Sequence, residues 1–150
     1  MRRGRRGGMF WVLILLLLVA AAMCSCEKAP INSEVEGHWR VQSIENRAGE
    51  QLPCENLFYS IQLQVVEVAQ KPRKDFGAFI GRVEYPSEGE MRMFDFKERG
   101  FTSDTQVDAT REDLHPYGLP SLDTQLRIVK AKGGNLVLET DSTTIRLKKF

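Results

Sequence analysis

The chain has 150 residues and three cysteines, enough length for one domain but too few cysteines for a disulfide-stapled secreted fold. Beyond Cys26 lie 17 basic and all 20 acidic residues, a formal charge of −3. A mildly acidic balance argues against nucleic-acid binding, which depends on a clustered basic surface, so no nucleic-acid partner is expected.

The start of the chain has the pattern of a secretory signal peptide. Four arginines occur among the first six residues, and an uncharged apolar run follows over residues 9–23. A membrane-spanning helix needs roughly 20 apolar residues. This run is shorter and has the length of a signal-peptide core. An uncleaved N-terminal anchor helix is the alternative.

A cysteine at the end of this run predicts lipid attachment. Ser25, a small residue, precedes Cys26, whereas the bulky Met23 precedes Cys24. Cys26 is therefore the predicted lipidation site, and Cys24 is the alternative. The arrangement resembles bacterial lipoprotein signals, which implies a membrane anchor through acyl chains on the cysteine. Glu27 is not the aspartate that usually signals inner-membrane retention, so the resemblance implies the outer membrane of the cell envelope.

The predicted organisation is a signal peptide over residues 1–25, a linker carrying the lipidated cysteine over 26–34, and one domain over 35–150. The domain shows the two-residue period of β-strands almost throughout. Eight strands are predicted, over residues 39–44, 57–68, 76–85, 91–97, 101–108, 124–131, 136–140 and 145–147.

Within residues 57–68 the apolar phase changes from odd to even numbers, which predicts a β-bulge near Val65 and Val66. The glycine pair Gly133-Gly134 and Pro86-Ser87-Glu88-Gly89 mark tight turns between strands. One helical turn is predicted, with Thr110 as N-cap and Asp113 three residues later. Eight short-linked strands favour an all-β, eight-stranded antiparallel up-and-down barrel, since closure removes exposed edges. A β-sandwich is the alternative.

Gly37-His38-Trp39, at the start of this domain, resembles the opening strand of lipocalins. Leu136-Val137-Leu138 and Ile145-Arg146-Leu147 resemble their closing hairpin. Over residues 35–150 the chain is similar to small lipocalin-like lipoproteins of Gram-negative envelopes. The resemblance implies that Gly37 and Trp39 form the barrel-closing motif and that Arg146 packs on the indole of Trp39.

No catalytic motif occurs in the sequence, so the protein is not expected to be an enzyme. Asp113 and His115 supply at most two metal ligands, and neither a metal nor a cofactor is expected. Aromatic residues suggest a ligand cup at the open end of the barrel, with Tyr117 on a loop that acts as a lid. The candidate cup residues are Tyr59, Phe79, Tyr85, Phe94, His115 and Tyr117; core packing is the alternative interpretation of the aromatics.

Two functional hypotheses follow. In the first, the anchored barrel binds a small apolar or amphipathic ligand. An eight-stranded barrel is only just wide enough for its own side chains or one small ligand. The chain also lacks the C-terminal helix of secreted lipocalins. In the second, therefore, the barrel is filled and acts as a non-catalytic accessory subunit that binds another envelope protein.

Overall fold

The computed structural model describes residues 32–150. The predicted signal peptide, Cys24, Cys26 and most of the linker lie outside the described residues. Within this part of the chain, no helix is long and apolar enough to cross a membrane. The strands are β1 (Gly37–Asn46), β2 (Gln51–Leu52), β3 (Leu57–Gln62), β4 (Val65–Gln70), β5 (Phe79–Glu84), β6 (Glu90–Arg99), β7 (Asp104–Asp108), β8 (Thr124–Lys132), β9 (Asn135–Glu139) and β10 (Thr143–Lys149). Helix α1 (Arg111–Leu114) and a 3₁₀ turn (His115–Tyr117) lie between β7 and β8.

Eight of these strands form a closed antiparallel barrel. Hydrogen bonds connect them in the order β1, β3, β4, β5, β6, β8, β9 and β10, and β10 pairs back with β1. The short β2 pairs with β1, and β7 pairs with β6, so both lie beside the ring. The predicted eight-stranded barrel is confirmed, and the β-sandwich alternative is excluded.

The strands that make up the ring differ from those predicted. Residues 57–68 form two strands, β3 and β4, joined as a hairpin in which Gln62 lies opposite Val65. The predicted bulge near Val65 and Val66 is therefore wrong. The change of apolar phase comes from a two-residue turn in which Leu63 adopts a φ of 54°.

The predicted strand over residues 101–108 is shorter and lies outside the ring. β7 extends β6 as a hairpin, with Lys97 opposite Asp108 and Arg99 opposite Asp104. Its side chains are exposed or half-buried. The ring still has eight strands because one predicted strand divides into two while another lies beside the barrel.

The bulges of the barrel lie elsewhere, and one of them depends on a glycine. Between β5 and β6 the register shifts at Gly81, and β6 carries one extra residue near Asp95, whose φ is 54°. Phe96 then turns inward over Gly81. A Cβ at Gly81 would lie 2.6 Å from the Phe96 ring, so this position has room only for glycine unless the ring moves.

Two predicted local structures are present. Gly133 and Gly134 take φ values of 61° and 73° in the turn between β8 and β9, as a tight hairpin requires. Thr110 caps α1 and forms a capping box with Asp113.

Each end of the barrel contains a buried aromatic residue, Trp39 at the closed end and Tyr117 at the open end. At the Trp39 end, β1 begins and the C-terminus returns to it, since the Phe150 amide donates to the His38 carbonyl. At the Tyr117 end, the segment over residues 109–123 covers the opening. Thr143 Oγ1 fixes that segment by donating to the Gly118 carbonyl at 2.6 Å.

Candidate functional site

Trp39 lies at the closed end of the barrel, with 1 % of its surface exposed. Its indole Nε1 donates a 2.8 Å hydrogen bond to the Val35 carbonyl, which ties the segment before β1 to the barrel. Gly37 has a φ of 143°, and a Cβ there would lie 2.8 Å from Cε of Lys149. The backbone conformation therefore favours glycine beside this tryptophan, whereas the end of the flexible Lys149 side chain could move aside.

The cation over Trp39 is Lys149, whose Nζ lies 5.4 Å from the centroid of the indole ring. Arg146 points outward instead and forms an ion pair with Glu45 at 3.4 Å. The predicted Arg146–Trp39 contact is wrong because side chains alternate along β10. Lys149 shares the inward phase with the buried Leu147, whereas Arg146 has the opposite phase.

The interior of the barrel is filled by side chains. Tyr59, Met93 and Leu138, from three different strands, each have 0 % of their surface exposed. A void that admitted a water molecule would leave exposed surface on its walls, so the interior has no such void beside these residues. The largest fully buried side chains are Trp39, Tyr59, Tyr117, Ile44, Leu57, Ile61, Met91, Met93, Leu114, Leu119, Leu136 and Leu138.

Tyr117 plugs the open end of the barrel. Its side chain is fully buried, and its hydroxyl donates to the Gly77 carbonyl. Its own carbonyl accepts a 2.6 Å hydrogen bond from the Tyr59 hydroxyl. Burial raises the pKa of Tyr59 and of Tyr117 well above the ordinary tyrosine range, and the neighbouring Tyr117 raises that of Tyr59 further. Tyr117 is thus part of the packed core and not a lid over an empty cup.

The other candidate cup residues do not meet around a common space. Phe79 is buried near the Tyr117 plug, with its ring beneath Gly77. Phe94 lies on the outer face, where the Arg92 guanidinium stacks 4.2 Å from its ring centroid. His115 is exposed to solvent.

Tyr85 lies at the opposite end from the plug, near Glu36. Its hydroxyl is buried without a hydrogen-bond partner among residues 32–150. Burial, with a smaller contribution from Glu36, raises the pKa of Tyr85 to about 12. Among residues 32–150 these candidate residues therefore do not form the expected ligand cup.

A concavity lies on the outer surface of the barrel. This outer groove, of about 980 Å³, crosses β1, β3, β4 and β5. Its apolar surface includes Ile80 and Val65, and 48 % of Val65 is exposed. Arg99 Nε donates to Glu67 Oε2 at 2.7 Å on one wall, and Lys71 also lines the groove.

Sequence reasoning missed this groove. Most of its residues alternate along the strands with the buried core residues and therefore point outward. Part of the lining could thus be predicted from the alternation of apolar and polar residues. The depth of the groove was not readable, because Ser33 and Arg99 reach its walls from distant parts of the chain.

A serine and a histidine meet in the outer groove. Ser60 Oγ lies 2.9 Å from His38 Nδ1, as residues directly opposite each other on β3 and β1. In the described part of the chain no hydrogen bond joins His38 to a carboxylate, the group that orients the base in a catalytic triad. No group of three or more metal-ligating side chains occurs among residues 32–150.

Comparison with known proteins identifies the family. A family model described as a lipocalin-like domain matches residues 21–150. A lipocalin-like protein from Bacteroides uniformis has a similar solved structure, with a TM-score of 0.59 and 18 % identity over 78 % of this chain and 99 % of its own.

A second similar structure, of an uncharacterized protein from Bacteroides eggerthii, has a TM-score of 0.55. It is 12 % identical over 77 % of this chain and 98 % of its own. At these identities the two structures support the fold alone. No curated protein matches the sequence. The match of the family model over most of the chain, together with the closed eight-stranded barrel, shows that the protein belongs to the lipocalin-like domain family.

Proposed function

We propose that this protein is a lipid-anchored envelope protein whose filled barrel binds another envelope protein through its outer surface. The observation that carries the proposal is the complete burial of the side chains inside the barrel, including Tyr59, Met93 and Tyr117. Pockets for small ligands occupy about 300–1,000 Å³. Opening such a space would require the Tyr117 plug to leave, with loss of its buried hydrogen bonds.

The outer groove is the proposed contact site. Protein interfaces combine an apolar centre with a polar rim. Val65 and Ile80 supply apolar surface here, while Lys71 and the ion pair of Glu67 with Arg99 supply polar walls. The rigid, closed sheet beneath them holds these side chains in place without a partner.

Membrane attachment is proposed through Cys26. The predicted linker ends at residue 34, so a fully extended chain from Cys26 to Val35 spans at most about 30 Å. A single acyl chain holds a protein only reversibly, and two or more hold it durably. Cys26→Ser should abolish incorporation of labelled acyl chains, with Cys24→Ser as the matched control. Loss of labelling in Cys24→Ser alone would move the anchor to Cys24.

The interior and the groove are tested separately. Trp39 is the only tryptophan beyond residue 26, and it is buried at the closed end. Its fluorescence should stay unchanged when fatty acids, haem or bilins are added. In cells, a stoichiometric crosslink to an envelope protein should be lost in Ile80→Glu, within the groove. It should be retained in Val129→Glu, an exposed position on β8 outside the groove. Saturable binding of a lipophile that persists in Ile80→Glu would refute the proposal.

A second candidate is an amphipathic anion bound in the same outer groove. Its volume of about 980 Å³ lies within the range of ligand pockets, and Lys71 supplies a positive charge to a lining that includes Ile80, while Arg99 is paired with Glu67. Lipophile binding that is lost in Ile80→Glu, without any protein crosslink in the wild type, would favour this candidate.

A further inference from the structure

The outer face of β8, β9, β10 and β1 gathers positive charge. Strand register places Lys132 opposite Asn135, Asn135 opposite Lys148, and Lys148 opposite Arg40, in one row across four strands. Side chains directly opposite one another lie about 5 Å apart. The next row contains Lys130 and Arg146, both opposite Val137 on β9. The basic face consists of Arg40, Lys130, Lys132, Arg146 and Lys148.

The lysines of this face are not neutralised by the protein. Lys130, Lys132 and Lys148 are exposed, and no carboxylate lies within 4 Å of any of them in the described part of the chain. Arg146 is the member that forms an ion pair, with Glu45. A chain with a net negative charge beyond Cys26 thus concentrates free positive charge on one face of its barrel.

An apolar side chain flanks the same face at the Trp39 end. Phe150 follows β10 there with 74 % of its surface exposed. The chain also enters the domain here, since Lys149 Nζ lies 3.4 Å from the Glu36 carbonyl. Cations and an exposed apolar group therefore lie at the end from which the chain leads back toward Cys26.

We propose that the basic face binds anionic lipid headgroups of the membrane to which the chain is anchored. The proposal rests on the proposed anchoring of the chain, which holds the domain near the membrane. A linker that spans at most about 30 Å keeps the face near the surface, where the Debye length is about 8 Å. Each cation near an anionic surface increases binding about fivefold. Because the tether supplies a high effective concentration, weak contacts of this kind are sufficient.

This orientation leaves the outer groove accessible. The groove is centred on β3 and β4, and the basic face on β9, across the eight-stranded ring; the two surfaces meet at β1, where His38 lines the groove and Arg40 belongs to the basic face. A barrel that rests on the membrane through its basic face therefore presents the centre of the groove, on β3 and β4, away from the membrane.

The test uses the full chain with its anchor, reconstituted into vesicles of phosphatidylcholine or of phosphatidylcholine with phosphatidylglycerol. Lysine acetylation is then quantified by mass spectrometry. In anionic vesicles the reactivity of Lys130, Lys132 and Lys148 should fall about fivefold relative to neutral vesicles, and high salt should restore it. Lys74, on the loop between β4 and β5, should react equally in both.

Surface variants give the matched comparison. Lys132→Gln with Lys148→Gln should abolish the protection of Lys130, whereas Arg47→Gln with Lys74→Gln should leave it unchanged. All four positions are exposed, so folding is expected to be preserved, and circular dichroism checks this.

The outcomes separate the two proposals. A chain that does not float with neutral vesicles refutes the anchor. A chain that floats, but whose three lysines react equally in neutral and anionic vesicles, refutes the basic face alone. Protection by soluble RNA or heparin, without protection by anionic vesicles, would assign the face to a soluble polyanion and refute the lipid proposal.

Discussion

Raising the pH is expected to unfold this domain as its tyrosines ionise. All three tyrosines of the chain, Tyr59, Tyr85 and Tyr117, have a pKa above the ordinary value of 10.0, chiefly because burial disfavours the phenolate. The pKa of Tyr85 rises to about 12, and those of the other two rise further. Above pH 10 the unfolded chain releases protons that the folded chain retains, so stability is complete below pH 10 and falls above it.

The magnitude follows from linkage. Each tyrosine that ionises only on unfolding contributes about 1.4 kcal/mol per pH unit. Three of them lower the free energy of unfolding by about 4 kcal/mol at pH 11 and by about 8 kcal/mol at pH 12, where Tyr85 begins to ionise in the folded state. Domains are stable by about 5–15 kcal/mol, so one of ordinary stability unfolds within this range of pH.

Phenolate absorbance and far-ultraviolet circular dichroism, followed over the same pH series, provide the assay. Both signals should change together in a single cooperative transition. In Tyr59→Phe, two phenolates should appear instead of three, and the pH dependence should be about a third less steep. Phenolates that titrate gradually around pH 10 while the circular dichroism remains native would refute the buried positions of these tyrosines.

Substitutions on the barrel wall test its packing. Gly81→Ala should lower the free energy of unfolding by about 1–3 kcal/mol in urea denaturation, because the methyl group meets the Phe96 ring; Phe96→Leu should restore part of the loss. An unchanged Gly81→Ala would contradict that contact. Lys149→Gln should cost about 0.5–1 kcal/mol and shift the emission of Trp39, whereas Arg146→Gln should cost less and leave the emission unchanged. A larger loss of stability in Arg146→Gln than in Lys149→Gln would indicate that Arg146, and not Lys149, packs on the indole.

The barrel was predictable because strand alternation and turn chemistry agreed along most of the chain. The failure in residues 57–68 has a simple cause. A bulge and a two-residue turn both shift the apolar residues from odd to even positions. The turn residues here are Leu63 and Gln64, and neither is the glycine or asparagine that usually marks a tight hairpin turn. Only the pairing of Gln62 with Val65 distinguishes the two, and pairing is a property of the folded chain.

The site was harder to predict than the fold, for two reasons. Arg146 was placed by family resemblance, although its position between two inward residues of β10 already indicated an outward side chain. Phe94 was misplaced for a reason that alternation does not reveal. The extra residue at Asp95 puts Phe96 inside and Phe94 outside, although they are two positions apart and would share a face in a regular strand.

The filled interior follows from the number of strands in the barrel and from the segment that closes its open end. An eight-stranded barrel leaves an interior only slightly larger than its own side chains need. The segment over residues 109–123 closes the open end by inserting Leu114, Tyr117 and Leu119, each with 0 % of its surface exposed. If this segment lay farther from the barrel axis, a ligand cup would remain beneath it. Here its hydrogen bonds to Tyr59 and Gly77 fix it inward. The surfaces that we propose for recognition, the groove and the basic face, therefore lie on the outside of the ring.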